Sequence, residues 1–139
     1  GVAAPLVQLI EQEAAMGRWR YEQFIISSFN QPELMEVRRL QPKLATMALM
    51  CGTPFDKAAA AEILNAEAIG LSIDAAAPEL VEDAHRRGMR VFVYTLNAQA
   101  DIEAAIASGA NGIITDLPDG IMWCKEAASA PSANCQKIK

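Results

Sequence analysis

Hydroxyl, amide and carboxylate side chains gather at five places in this chain: Ser27, Ser28 and Asn30; Thr53; Ser72 and Asp74; Tyr94, Thr95 and Asn97; and Thr115 with Asp116. Such a set can orient a polar ligand through hydrogen bonds. It is poorly equipped to move protons near neutral pH, because it contains no histidine, lysine or glutamate. Asp74 and Asp116 could share a cation only if their loops brought them together. The one histidine, His85, has no ligand-type partner three or four residues away, and no Cys-x-x-Cys pair exists, so the spacing of a zinc site is missing. Cys51, Cys124 and Cys135 are too few and too irregular for a disulfide framework. A bridge between the two tail cysteines stays open, and idle thiols are the simpler reading.

The elements that must carry these residues follow from the apolar runs. FIISSF from Phe24, LATMAL from Leu44, AIGLSI from Ala68, RVFVYTL from Arg90 and NGIIT from Asn111 read as strands, starting 20, 24, 22 and 21 residues apart. The polar clusters lie at or just after their C-terminal ends. Each gap holds one helical pattern. Asn30 and Pro32 open a helix that runs to about Leu40, before Pro42. Thr53-Pro54 opens FDKAAAAEILNAE. Pro78 opens PELVEDAHRR, which Gly88 closes. Asn97 caps AQADIEAAIAS, which Gly109 closes, and PLVQLIEQEAAM precedes the first strand and stops at Gly17.

Continuous apolar strands alternating with helices mark a parallel sheet covered by helices. Two α/β architectures fit: an open doubly wound sheet, or an arc of a (β/α)8 barrel. The doubly wound fold usually carries a glycine-rich turn after its first strand. Here that exit reads Ser27-Ser28-Phe29-Asn30, without glycine. The even spacing suits the barrel, and five strands make about half of one. Residues 1–119 form this unit. Residues 120–139 read as a C-terminal helix, IMWCKEAA, followed by a polar tail.

Composition sets outer bounds. With 139 residues, 52% hydrophobic and 21% charged, the chain is one globular domain at most. A net charge of -5 argues against nucleic acid as a partner. No run is long and apolar enough for a membrane span. No signal-peptide pattern opens the chain, and Gly1-Val2-Ala3 reads as a cut end.

Each candidate also has a plain structural use. Asn30 and Asn97 suit helix caps, Ser27 and Ser28 can satisfy strand-end backbone groups, and Asp116 before Leu-Pro can cap a turn. Tyr94 shares a strand face with Phe92, which should line the barrel interior. Its ring and hydroxyl fit either a small polyol or a core position with a satisfied hydroxyl. His85 sits in a last helical turn, where the dipole favours it. Met35, Met47, Met50 and Met89 read as core filler. The pairs Arg38-Arg39 and Arg86-Arg87 read as solvated.

Three stretches, SSFNQPELMEVRRLQP, PELVEDAHRRGMRVFVYTLN and IASGANGIITDLPD, resemble the C-terminal half of the glycerophosphodiester phosphodiesterases. That family tends to carry Ser-Phe after one strand, aromatic-Thr-x-Asn at the next-to-last, and Gly-x-x-Gly-Ile-x-Thr-Asp-x-Pro at the last. The counterparts are Ser28-Phe29, Tyr94-Thr95-Leu96-Asn97, and Gly109 to Pro118, and the resemblance spans roughly residues 5 to 119. It implies a TIM barrel that hydrolyses glycerophosphodiesters to glycerol 3-phosphate and an alcohol. The complete family enzyme would use a divalent cation, magnesium or calcium, held on carboxylates, with two histidines as general acid and base. Those groups belong to a His-Arg-Gly motif, a Glu-x-Asp motif and a later histidine in the family's N-terminal half, and none of them matches this chain.

By the same resemblance, Phe29 and Tyr94 line the glycerol or alcohol group, while Ser28, Asn97, Thr115 and Asp116 organise the rim. No residue is assigned as catalytic or as a metal ligand, and the chain alone is expected to be inactive. Self-association through the open sheet edges is expected. The alternative is a catalytically inert half-barrel acting as a binding or self-assembling module. The family has cytosolic and exported members, and the sequence leans only slightly to the cytoplasm.

Overall fold

The computed structural model describes residues 1–120. Helices α1 (Ala3–Ala15), α2 (Gln31–Leu40), α3 (Ala59–Ile63), α4 (Pro78–Arg86) and α5 (Gln99–Ala107) alternate with strands β1 (Ile25–Ser28), β2 (Ala45–Met50), β3 (Ala68–Ser72), β4 (Arg90–Tyr94) and β5 (Gly112–Ile113). The helix and tail expected from residue 120 onward, and Cys124 and Cys135 with them, lie outside the described residues apart from a single turn at Pro118–Gly120.

The five strands pair in parallel and in chain order, β1-β2-β3-β4-β5. A doubly wound sheet reverses direction at a switch point; this sheet does not, so the arc of a barrel is the architecture. One face carries Ala48, Met50, Ile69, Leu71, Val91 and Val93. These pack under the helices with Leu80, Val81, Ala84, Ile102 and Ala105 to form the main core. The other, inner face holds a smaller cluster of Met47, Ala68 and Phe92, with Ile25 and Leu49 against it. The period-2 geometry of strands divides the residues between the two faces.

Helix ends follow local chemistry where the right side chain is free. Asn30 Oδ1 accepts from Glu33 N at 3.5 Å, and a proline occupies the first turn of α2. Gly17, at φ 71°, ends α1 in a left-handed conformation that a Cβ would disfavour.

Four expectations are corrected. Asn97 does not cap α5: the cap position is Ala98, with no side-chain bond, because the Asn97 amide is engaged at the exit of β5. The helix after Thr53-Pro54 shrinks to the five residues of α3. Lys57 turns left-handed at φ 56°, and the Ala58 N–H is taken by Asp83 Oδ2 at 3.1 Å. Met35 is exposed, since Leu34 and Val37 occupy the buried face of α2. Arg38 and Arg87 are not merely solvated. Arg38 bonds the Leu44 carbonyl and Glu67, and Arg87 bonds Asp83 and Glu62.

β5 is shorter than NGIIT because Asn111 substitutes its side chain for strand pairing. Its Oδ1 accepts from Val91 N at 2.7 Å and its own N–H reaches Val91 O. Among the described residues, no helix is long and apolar enough to cross a membrane.

Candidate functional site at the strand exits

The exits of β1 and β4 are separated by two strands. In a flat sheet they would stand roughly 14 Å apart, at about 4.8 Å per strand. Yet the Phe29 and Tyr94 rings lie with centroids 6.1 Å apart and planes at 88°. The two side chains lean toward each other over the inner face, and their rings meet at the strand exits. Local bonding sets up the first ring. Ser28 Oγ accepts from Asn30 N at 3.0 Å, turning the chain so that Phe29 projects, 55% exposed.

Tyr94 reaches further. Its hydroxyl donates to the Met50 carbonyl at 2.8 Å, bridging from β4 past β3 to the end of β2. Gly70, on β3 between them, leaves the space that the Leu49 side chain fills beside the Tyr94 ring. A Cβ there would stand 2.5 Å from Leu49 Cδ2 and 3.6 Å from Tyr94 Cδ1. A glycine inside a strand is a signal of such close approach, and Gly70 is the residue that the sequence reading passed over. Burial, and then the Cys51 thiol 3.8 Å away, push the Tyr94 hydroxyl up to about 12. It is thus a neutral donor at physiological pH, already committed to a carbonyl. Cys51 itself is exposed and unpaired.

A second group links β4 to β5. Asn97 Oδ1 accepts from Thr115 Oγ1 at 3.1 Å and from Asp116 N at 3.0 Å, while Asn97 Nδ2 donates to Asp116 Oδ2 at 3.1 Å. Thr115 Oγ1 accepts in turn from Leu117 N at 3.0 Å. One amide therefore extends the β4–β5 seam beyond the point where the strands stop. Phe29 and Tyr94 meet at one side of the mouth, whereas Ser28, level with Ala48 in the sheet, lies on the helix side beside α2. Asn97, Thr115 and Asp116 form a separate clasp at the β5 side.

Other candidates fall elsewhere. Asp74 and Asp116 leave from β3 and β5 with β4 between them. Among the described residues, no three histidine, cysteine or acidic side chains converge as a metal site. The described residues therefore do not by themselves assemble the carboxylate set a divalent cation takes. His85 Nε2 lies 2.9 Å from Asn111 Oδ1, at the end of the sheet where β4 and β5 begin, away from the mouth. Among the described residues, the mouth presents two aromatic rings, hydroxyls, an amide and a carboxylate, and no acid–base pair.

A family model described as the glycerophosphoryl diester phosphodiesterase family matches residues 5–120. A curated glycerophosphodiester phosphodiesterase of Caldanaerobacter subterraneus subsp. tengcongensis is 35% identical over 104 residues, covering 73% of this chain and 42% of that protein. One from Bacillus subtilis is 29% identical over 124 residues, covering 86% of this chain and again 42% of the other. The chain thus spans about two fifths of the length of the curated relatives it matches. In fold it resembles a glycerophosphodiester phosphodiesterase structure from Parabacteroides distasonis, with a TM-score of 0.73, 22% identity, and coverage of 88% of this chain and 51% of that one.

Proposed function

The chain belongs to the glycerophosphoryl diester phosphodiesterase family, and from that premise we propose that it forms the substrate-facing part of a phosphoric diester hydrolase. The complete enzyme would cleave glycerophosphodiesters to glycerol 3-phosphate and an alcohol. The observation that carries this reading is the meeting of Phe29 with Tyr94 across the strand exits, at 6.1 Å. Two perpendicular rings beside a hydroxyl and a thiol make an apolar corner with polar edges. That corner suits the carbon skeleton of a glycerol or alcohol group. Tyr94 acts in binding and not as a base, because its hydroxyl is neutral and spent on Met50. Asn97, Thr115 and Asp116 hold the rim in place.

Proton transfer and any divalent cation, magnesium or calcium, belong to groups outside the described residues. The chain by itself would then bind without turning over. The test is a chimera in which residues 5–120 replace the matched part of the Bacillus subtilis relative. A folded chimera that hydrolyses glycerophosphocholine supports the reading, and a folded one that does not ends it. The chain alone, assayed with either cation, should release no glycerol 3-phosphate at an enzymatic rate.

A further inference from the structure

β2 delivers the chain directly to the corner formed by Phe29 and Tyr94. The Tyr94 hydroxyl holds the Met50 carbonyl at 2.8 Å, and the Cys51 thiol lies 3.8 Å from that hydroxyl. At Ala58 the chain is fixed again. Its N–H donates to Asp83 Oδ2 at 3.1 Å, and Ala58 is fully buried. Between these two anchors Gly52, Thr53, Phe55, Asp56 and Lys57 are all exposed.

The segment is built as one compact turn with a bend at each side. Lys57 N donates to Pro54 O at 3.0 Å, which closes Pro54–Lys57 into a turn. Gly52 before the turn and Lys57 at its end have left-handed backbones, at φ 79° and 56°. Beyond its chain neighbours, no atom stands within 4 Å of the place a Gly52 Cβ would take, so the first bend has open space around it. Phe55 rides on the turn, fully exposed. A lone exposed phenylalanine means little by itself; this one stands on a segment that begins at the candidate site. Phe29 is also exposed, so a ligand lying against the two rings keeps its outer side in water. Small-molecule sites bury roughly 70–90% of a ligand, and the corner lacks a third apolar wall. From Cys51 to Phe55 the chain can span at most about 14 Å, enough to bring the Phe55 ring back over Tyr94.

We propose that residues 52–57 are a lid, and that Phe55 closes on the outer side of the alcohol group held against Phe29 and Tyr94. Phe55 thereby selects glycerophosphodiesters whose alcohol is apolar and large enough to reach from the corner to its ring. This inference rests on the functional reading for the ligand, and on the anchored segment for the closure.

The experiment uses two diesters of glycerol 3-phosphate, one with benzyl alcohol and one with methanol. In the chimera carrying residues 5–120, Phe55→Ala should lower kcat/KM for the benzyl diester about tenfold and leave that for the methyl diester unchanged. Phe55→Leu should retain most of the benzyl activity. Ile63→Ala, at an exposed position on α3, should change neither. No loss with Phe55→Ala, an equal loss with both diesters, or the same loss from Ile63→Ala overturns the proposal. Hydrogen exchange on the full chain reads the lid without turnover. The benzyl diester should slow exchange at the amides of Phe55 and Asp56, and the methyl diester should not; no slowing by the benzyl diester overturns the lid. Slowing in the chain together with a folded but inactive chimera supports the lid and counts against the proposed activity.

Discussion

The helix layer and the strand exits of this molecule obey opposite rules. Behind the sheet, charges are paired and span elements: Arg38 joins α2 to Glu67, and Arg87, just past the end of α4, joins Glu62 in α3. Asp83, with its side chain 8% exposed, accepts from Arg86 at 2.8 Å, from Arg87 at 2.9 Å and from the Ala58 N–H. At the exits no ion pair appears among the described residues: hydroxyl and amide groups make the bonds, Tyr94 to Met50 and Asn97 to Thr115 and Asp116, and large apolar side chains such as Phe29 and Leu117 stand in the open. One region spends its side chains on holding elements together. The other ties its polar groups to strand ends and leaves Phe29 and Leu117 exposed beside them.

The widest separation should come from paired truncations. Leu71→Ala, in the fully buried layer, should cost about 2–5 kcal/mol. Phe29→Ala, at the mouth, should change stability by no more than about 0.5 kcal/mol. Urea unfolding of both variants checks this, and equal losses would erase the distinction between the regions. In the chimeric enzyme the order reverses. Tyr94→Ala should raise KM for glycerophosphodiesters about tenfold with a smaller change in kcat, because uniform binding is removed. A fall in kcat alone would place Tyr94 in the chemistry instead.

A pH series sharpens the helix-layer side. Arg87, and then the Ala58 N–H, hold the Asp83 carboxyl below its ordinary 3.8. A carboxyl lowered in the folded state stabilises the fold fully above its unfolded value. That contribution is lost as pH falls through the folded value. Asp83→Asn should therefore lower Tm near neutrality and flatten the acid limb below about pH 4. Unchanged acid sensitivity would assign that limb to other groups. Smaller still, Tyr94→Phe removes one hydrogen bond to Met50, worth about 1 kcal/mol. Least of all, Arg39→Ala breaks an exposed pair with Glu36 and should leave the urea midpoint where it is.

Much of the layer was legible because strands of steady spacing and helices with Asn30, Pro78 and Gly88 at their ends declare themselves locally. What stayed hidden depends on partners distant in sequence. Asn97 has the chemistry of a cap, but Thr115 and Asp116, 18 and 19 residues on, claim its side chain. Arg38 and Arg87 look solvated until Glu67 and Glu62 are brought to them. At the mouth, Phe29 and Tyr94 could be named from the motifs they sit in. Their contact could not, since the two rings come from strands that are not neighbours in the sheet. Met50 contributes only a carbonyl, which no side-chain pattern can announce.

The sequential order of the strands also governs how this shape is reached. Every in-register pair joins residues 20 to 22 positions apart. None of the four seams among the described strands waits for a distant part of the chain, so each closure carries a similar and modest entropic penalty. Contacts of this range place the protein toward the faster part of the topology–rate relation. A growing chain can add each helix–strand pair to a platform already laid down, β2 on β1 and so on to β5.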